Sequence, residues 1–223
     1  KNEDLSTSAS EVNAAAGDVL QRAINIGDAD AKLGKITTMV GNGNIARIMS
    51  VGCGDRASFN LEAQLSVTGA VSRALASSKA KNAIIVGDPI ADDKDALVQF
   101  LEFLGRDMAM ACYHYTATLG TPKPGPTFSK LTAAVDGISV AKAKQSLSVG
   151  ATIGNGANLT RELVNLPGNV CTPSYPPKRA VRLAVNTTSS PYRYSMRRKW
   201  PAWVWARCYR LATGVMNHPS SLS

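Results

Sequence analysis

The 223-residue sequence is 44% hydrophobic and only 6% aromatic, with 25 Lys and Arg against 16 Asp and Glu. A chain of this length can bury about 70% of the surface that its unfolded form exposes, which excludes wholesale disorder and predicts one or two soluble domains. No segment approaches the roughly 18 apolar residues of a membrane-spanning helix, and residues 1–18 hold no apolar signal-peptide core, so we expect a cytoplasmic protein without a membrane partner.

The first predicted element is an amphipathic helix. Apolar residues recur every three or four positions over residues 12–24, Ser10 is a suitable N-cap, and Gly27 ends the pattern. Two short apolar runs follow, Ile36–Val40 and Ile45–Val51. They are too short for helices and are bounded by Gly-Asn-Gly and Gly-Cys-Gly, which predicts two strands.

Alternating elements continue to residue 165. The spacing of Leu61, Leu65, Val71 and Leu75 predicts a second helix, and Ala83–Val86 reads as a buried strand that is closed by Gly87-Asp88-Pro89.

The clearest helix pattern starts at the acidic turn Asp92–Asp93 and carries apolar residues on one face as far as Tyr115. A proline-rich turn over residues 122–126 separates it from a strand, Lys130–Val135, and from a long helix over about Ser139 to Asn165. Strands that alternate with helices in this way predict an α/β fold, with helices on both faces of a largely buried sheet. Because the chain starts at Lys1 without a methionine, an earlier strand could precede it.

The charge changes abruptly near Tyr175. No Asp or Glu follows Glu162, so residues 1–175 have no formal net charge and the whole +9 lies in the last 48 residues. This predicts an amino-terminal domain over residues 1–175 and a separate, irregular basic tail over residues 176–223. One interpretation of the tail is a nucleic-acid-binding arm, in which cations bind phosphates and aromatic rings stack on bases. Its residues would be Arg197, Arg198, Lys199, Trp200, Trp203 and Trp205.

Four cysteines occur, Cys53, Cys112, Cys171 and Cys208, and no two of them form a Cys-x-x-Cys pair. Their spacing offers neither a zinc ribbon nor a dithiol redox site. We therefore expect reduced and mostly buried thiols rather than catalytic ones.

Two glycine-rich turns are weak candidates for ligand binding. Gly52–Asp55 follows a strand and leads towards a helix, which is where α/β sheets bind ligands, but it has two of the three glycines of a dinucleotide-binding motif. A tight turn is the simpler interpretation, and phosphate or small-ligand binding is the alternative. Gly41–Asn44 likewise reads as a turn.

The remaining candidates are two histidines and three acids. His114 lies between two tyrosines near a helix end and His218 lies in the basic tail, so they form neither a catalytic triad nor a helical metal-binding pair. Asp92, Asp93 and Asp95 resemble metal ligands, but a solvated helix start explains them more simply. These residues give no convincing catalytic, metal-binding or cofactor-binding set.

Residues 158–173 read Asn-Leu-Thr-Arg-Glu-Leu-Val-Asn-Leu-Pro-Gly-Asn-Val-Cys-Thr-Pro. This segment resembles the junction between the two domains of leucyl (cytosol) aminopeptidases, where a long helix ends in Arg-Glu/Asp-Leu-Val-Asn before a Pro-Asn turn and Thr-Pro. The helix end at Gly27, the strand closing on Gly52 and the segment Cys112–Tyr115 agree in order. The resemblance covers about Leu5 to Tyr175 and implies an α/β amino-terminal domain that precedes a catalytic domain and helps to form a hexamer.

In the resembled family, two divalent ions, Mn or Zn, are held by Lys, Asp and Glu side chains of the carboxy-terminal domain and activate water against the peptide substrate. The motifs that supply these ligands, Asp-Ser-Gly-Gly and Asn-Thr-Asp-Ala-Glu-Gly-Arg, are absent from the 223 residues. The resemblance therefore assigns no catalytic, metal or cofactor-binding residue to this chain. It predicts a truncated aminopeptidase that is inactive alone.

Beyond Tyr175 the family pattern stops. A shifted reading frame from Arg193 onward permits a translation containing Gln-Met-Ala-Gly-Leu-Gly-Met-Gly-Ala-Leu, which is similar to the start of the family's catalytic domain. For example, Lys199 followed by Trp200 can give the codon ATG. We infer a frame slip between Tyr175 and Pro191, which predicts a disordered tail that was never selected to fold or to bind.

Overall fold

The computed structural model describes residues 7–42, 45–87 and 93–176. These residues form helices and strands in alternation, which confirms the predicted α/β class. They divide into two compact units between Leu159 and Thr160. In chain order the elements are α1 (Thr7–Ala15), α2 (Val19–Asn25), β1 (Ile36–Val40), β2 (Arg47–Val51), α3 (Leu61–Ser77), β3 (Asn82–Gly87), α4 (Lys94–Ala111), β4 (Lys130–Val135) and α5 (Val140–Asn165), with one turn of 3-10 helix at Arg56–Ser58.

The predicted first helix is two helices, so the prediction of one continuous helix was wrong. α1 ends at Ala15, α2 begins at Val19, and Ser10 lies inside α1 rather than at its N-cap. Between the helices, Gly17 has a φ of 76° and Asp18 a φ of 58°. Both values fall in the left-handed region, which a right-handed helix cannot include.

The buried side chain of Asn13 stabilises this break. Its Oδ1 accepts hydrogen bonds from the backbone N–H groups of Leu20 at 3.0 Å and Gln21 at 3.1 Å, and its Nδ2 donates to Asp18 Oδ1 at 2.9 Å. Asn13 thereby satisfies two of the N–H groups that the start of α2 leaves without a helical partner. Apolar periodicity does not detect the break, because the apolar spacing continues across both helices.

β1 and β2 form an antiparallel hairpin in which Ile36 lies opposite Val51. β1 has the predicted bounds, whereas β2 begins at Arg47, two residues later than predicted. Just beyond the last strand pair, the Gly41 N–H donates to the Ala46 carbonyl at 3.2 Å in the same register.

β3 and β4 pair in parallel along their full lengths, and β4 has the predicted bounds. One face of this pair packs on the helical core through Ala83 and Ile85. On the opposite face the exposed fraction of Ile84 is 69% and that of Val86 is 38%. Successive side chains of a strand point to opposite faces, so only every second residue of β3 is covered. The prediction that β3 is a buried strand was therefore wrong for the face that carries Ile84 and Val86.

The main core lies between α3, α4 and the covered face of β3 and β4. Leu101 and Leu104 of α4 are fully buried, and Val67 of α3 is 1% exposed. α4 carries the predicted apolar face but ends at Ala111, so Tyr115 lies beyond the helix. None of the helices in the described part of the chain combines the length and apolarity needed to cross a membrane.

α5 begins and ends within one residue of its predicted bounds, and it packs on α4 at backbone distance. A Cβ atom on Gly150 would overlap the Glu102 carbonyl, and one on Gly105 would overlap the Leu147 carbonyl. Gly154 also lies against the α4 backbone. The close approach of the two helices therefore depends on residues without side chains.

Candidate functional site

A cavity of about 430 Å³ lies where β4 ends and where α4 and α5 begin. Its two lysines, Lys94 and Lys142, are balanced by the Asp95 carboxylate in the same lining and by Asp93, the N-cap of α4, so the region carries no net charge that would select an anion. The sequence pattern does not reveal this depression, because the two halves of its lining are about 40 residues apart in the chain. The feature that could have located it is that α4 and α5 both start beside the carboxyl end of a parallel strand pair. The lining residues are Lys94, Asp95, Val98, Gly137, Ile138, Ser139 and Lys142.

In the turn Gly52–Asp55, backbone N–H groups form hydrogen bonds with other parts of the chain. The Gly52 N–H donates to the Lys35 carbonyl at 2.8 Å, and the Gly54 N–H donates to the Ala31 carbonyl at 2.7 Å. The Asp55 carboxylate caps the following 3-10 turn. A phosphate-binding loop needs N–H groups that point at its ligand, so the hydrogen bonds favour the tight-turn interpretation.

His114 contacts a later part of the loop that connects α4 to β4. Its Nε2 lies 2.7 Å from the Lys123 carbonyl, and its ring lies against Gly125. A carbonyl oxygen only accepts hydrogen bonds, so Nε2 carries the proton in this contact. This placement favours a packing role over that of a general base. His218 lies outside the described residues.

The acids at the start of α4 act on the helix itself. Asp93 is the N-cap, and its Oδ1 accepts a hydrogen bond from the Asp95 N–H at 2.8 Å. Asp92 lies outside the described residues. Across residues 7–42, 45–87 and 93–176, no three His, Cys, Asp or Glu side chains are grouped so that they could hold a metal ion.

The three described cysteines are free thiols, but the prediction that they are mostly buried was wrong. Cys53 is exposed, and Cys112 and Cys171 are half-buried. Desolvation nevertheless raises the pKa of the Cys53 and Cys112 thiols, which lowers their nucleophilicity at neutral pH. Cys208 lies outside the described residues.

A polar contact between α3 and α4 was not predicted. The Thr68 hydroxyl, which is fully buried, donates to Asp107 Oδ2 at 2.7 Å. The Arg106 guanidinium donates to Asp107 Oδ1 and lies over the Phe103 ring at 4.9 Å from its centroid. Thr68 lies between the buried Gln64 and Ser72 on the same face of α3, and nothing in the local sequence identifies a partner 39 residues away.

The junction segment has the local structure that its sequence predicts. α5 ends where the signature places its helix end, and the N–H groups of Val170 and Cys171 both donate to the Pro167 carbonyl at 2.9 Å, which forms the expected turn. Asn158, the first residue of the segment, donates from Nδ2 to the Ala109 carbonyl at 2.8 Å. This bond satisfies a carbonyl in the last turn of α4.

A sequence model described as the cytosol aminopeptidase family, N-terminal domain, matches residues 1–120, which is more than half of the chain. The chain belongs to the cytosol aminopeptidase family. The resemblance predicted from the junction segment is therefore confirmed, and the structure described above is that of the family's N-terminal domain.

Curated relatives of this cytosol aminopeptidase domain carry the same family name. A probable cytosol aminopeptidase of Burkholderia ambifaria is 29% identical over 183 residues, which is 81% of this chain and 36% of the relative. One of Bordetella pertussis is 33% identical over 146 residues, covering 62% of this chain and 28% of the relative. The chain thus spans about a third of the length of these relatives.

Two solved structures share the fold. A mutant of tomato leucine aminopeptidase matches with a TM-score of 0.63 and 19% identity, over 83% of this chain and 36% of its own. The bottromycin maturation enzyme BotP matches with a TM-score of 0.57 and 17% identity, over 74% of this chain and 34% of its own. Identities this low establish the α/β fold of a leucine aminopeptidase N-terminal domain and nothing about chemistry.

Proposed function

We propose that this chain supplies the noncatalytic N-terminal domain of a cytoplasmic metallo-aminopeptidase that removes N-terminal residues such as leucine from peptides. The observation that carries the proposal is the match of residues 1–120 to the N-terminal domain of the cytosol aminopeptidase family. The names of the Burkholderia and Bordetella relatives support the same activity for a whole protein.

The described residues do not fit the pair of Mn or Zn ions that this activity implies. Two ions that share an activated water need several carboxylates within coordination distance of one another. In the part of the chain that the structure describes, His, Cys, Asp and Glu side chains form no group of three that could bind one ion. The ligand motifs are also absent from the 223 residues. We therefore propose that these residues do not hydrolyse peptides by themselves.

Each candidate group that the structure describes makes contacts within the fold, which agrees with a structural role. Asp93 caps α4, His114 closes the loop between α4 and β4 through Lys123, and Asp107 accepts hydrogen bonds from Thr68 and Arg106. These contacts hold secondary-structure elements together, and no nucleophile paired with a base occurs among them. These contacts are more typical of a domain with a structural role than of a reaction centre.

The direct test is an aminopeptidase assay on the purified 223-residue chain with a leucyl amide and added Mn²⁺ or Zn²⁺. We expect no turnover above buffer, while the Burkholderia ambifaria relative, assayed beside it, turns over. Circular dichroism of the same sample establishes that the chain is folded. Metal-dependent turnover by the folded chain would contradict the proposal.

A chimera tests the support role separately. Residues 7–165 would replace the equivalent residues of the Burkholderia ambifaria relative, and activity and oligomer size would be measured together. We propose that the complete protein is a homo-oligomer, a hexamer in the resembled family, so the chimera should retain both activity and assembly. A folded chimera that stays monomeric would contradict this.

The other sequence hypotheses concern residues 176–223, of which all but Pro176 lie outside the described residues. Nucleic-acid binding by this tail receives no support from the relatives, so the frame slip remains our proposal for its composition. Resequencing the codons for residues 175–191 tests it. Nucleotides that forbid the alternative frame would overturn it.

A further inference from the structure

One face of the strand pair β3 and β4 is exposed over the whole length of the pair. The side chains between these positions, such as Ala83 and Ile85, pack on the helical core instead. We call the exposed residues, together with Asp136 just beyond the end of β4, the open face. Its three cross-strand pairs are Asn82 with Lys130, Ile84 with Thr132, and Val86 with Ala134.

The centre of the open face is apolar. Ile84 and Val86 lie beside Ala134 there, and all three side chains are exposed. Helix α1 contacts β3, yet most of Ile84 remains exposed. Parallel strands are ordinarily covered on both faces, and an exposed apolar patch with a polar rim is typical of a protein–protein interface. We therefore searched the rim of the open face for what selects its partner.

The two ends of the open face carry opposite charges. Lys130 is the first residue of β4, and Asp136 directly follows its last residue, Val135. Both side chains are exposed, and in the part of the chain that the structure describes neither forms an ion pair. At the rise of an extended strand they lie about 20 Å apart. The open face is thus basic at one end, acidic at the other and apolar between them.

We propose that the open face binds the open face of a second copy of this chain, with the strands of the two copies antiparallel. A two-fold axis between the faces, crossing β4 midway between Lys130 and Asp136, brings each of these residues against its opposite charge on the other copy. The same axis places Ile84 on Val86 of the other copy. Each contact then occurs twice, as two-fold symmetry requires. A parallel arrangement would instead oppose like charges.

The dimensions of the open face indicate a weak dimer. It is two strands wide and about 20 Å long, which is well below the area of a standard protein–protein interface. We expect a dissociation constant on the order of 100 μM. Salt should weaken the dimer, because the ion pairs lie at the rim of the contact. This inference goes beyond the proposed aminopeptidase role and does not rest on it.

The first test is sedimentation equilibrium of the complete chain over roughly 10–500 μM, a range that brackets the expected dissociation constant. Ile84→Lys should raise that constant at least roughly tenfold, because it places two charges in the apolar centre of the dimer. Ile153→Lys is the matched control, since it makes the same change at an exposed apolar residue of α5, outside the open face. It should leave the dissociation constant unchanged.

Charge reversal tests the antiparallel arrangement. Lys130→Glu or Asp136→Lys alone opposes like charges twice in each dimer and should weaken association at least roughly tenfold. The double variant exchanges the two charges and should restore association to near the parent value. Circular dichroism establishes that each variant is folded. A chain that stays monomeric over the whole range, dimerisation unaffected by Ile84→Lys, or a double variant as weak as the single ones would overturn the proposal.

Discussion

Replacing Gly150 with Ala tests the inference that α5 contacts α4 through glycine. Inside a helix this change ordinarily stabilises a protein by about 1 kcal/mol, because Gly loses more backbone entropy on folding. At Gly150, however, the added Cβ would overlap the Glu102 carbonyl and lie 2.9 Å from the Arg106 backbone nitrogen. These atoms belong to the α4 backbone, so no rotamer change relieves the contact.

The gain in helix propensity and the steric overlap with α4 change the free energy of unfolding in opposite directions. The overlap should have the larger effect. Overpacking costs about 1–3 kcal/mol, and a clash with backbone belongs at the upper end of that range. Subtracting the helix-propensity gain of about 1 kcal/mol leaves a net loss of about 2 kcal/mol in the free energy of unfolding. For a domain of this size the melting temperature should fall by about 4–8 °C.

Gly156→Ala is the matched control, because it lies on the same helix and its Cβ would meet nothing within 4 Å. It should raise the melting temperature by about 2–4 °C. Both variants would be melted beside the parent chain under circular dichroism, with urea titration giving the free energy of unfolding. If Gly150→Ala stabilises the chain as Gly156→Ala does, the close packing of α4 on α5 is refuted.

Three further predictions concern other parts of the chain. Asn13→Ala should lower the free energy of unfolding by about 1 kcal/mol in urea titration, because α2 loses its cap; an unchanged value would mean that Asn13 does not hold the break. Ending the chain after Tyr175 should leave the melting transition nearly unchanged, and a large loss of stability would show that the tail packs on the domain. Desolvation raises the pKa of Cys112, so the folded chain keeps that proton where the unfolded chain loses it. Stability should therefore fall as pH rises above the unfolded thiol pKa of about 8.5, and Cys112→Ser should remove this part of the decline.

Much of the fold could be predicted because the deciding interactions are local. β1, β4 and α5 matched their predicted bounds to within one residue, since turn residues lie close to both ends of each element. The family could be recognised for a related reason. The junction segment combines a helix end and a turn, and both depend on residues that are adjacent in the chain.

The failures arose where distant residues or backbone angles decide the outcome. The periodicity of residues 12–24 continues through Gly17 and Asp18, so only their left-handed φ values reveal two helices. The burial of β3 depends on which of its faces is covered, and the alternation of side chains leaves Ile84 exposed. The Thr68–Asp107 hydrogen bond joins residues on separate helices, which no local pattern encodes.

The sequence by itself determined the class of fold, the order of its elements, the family, and the absence of the metal-binding motifs, because each of these is a matter of composition or of neighbouring residues. Only the tertiary structure decided how closely α4 and α5 approach and that the N–H groups of Gly52 and Gly54 are hydrogen-bonded within the chain. Those properties depend on which atoms meet in space, and the chain brings them together only when its core is packed.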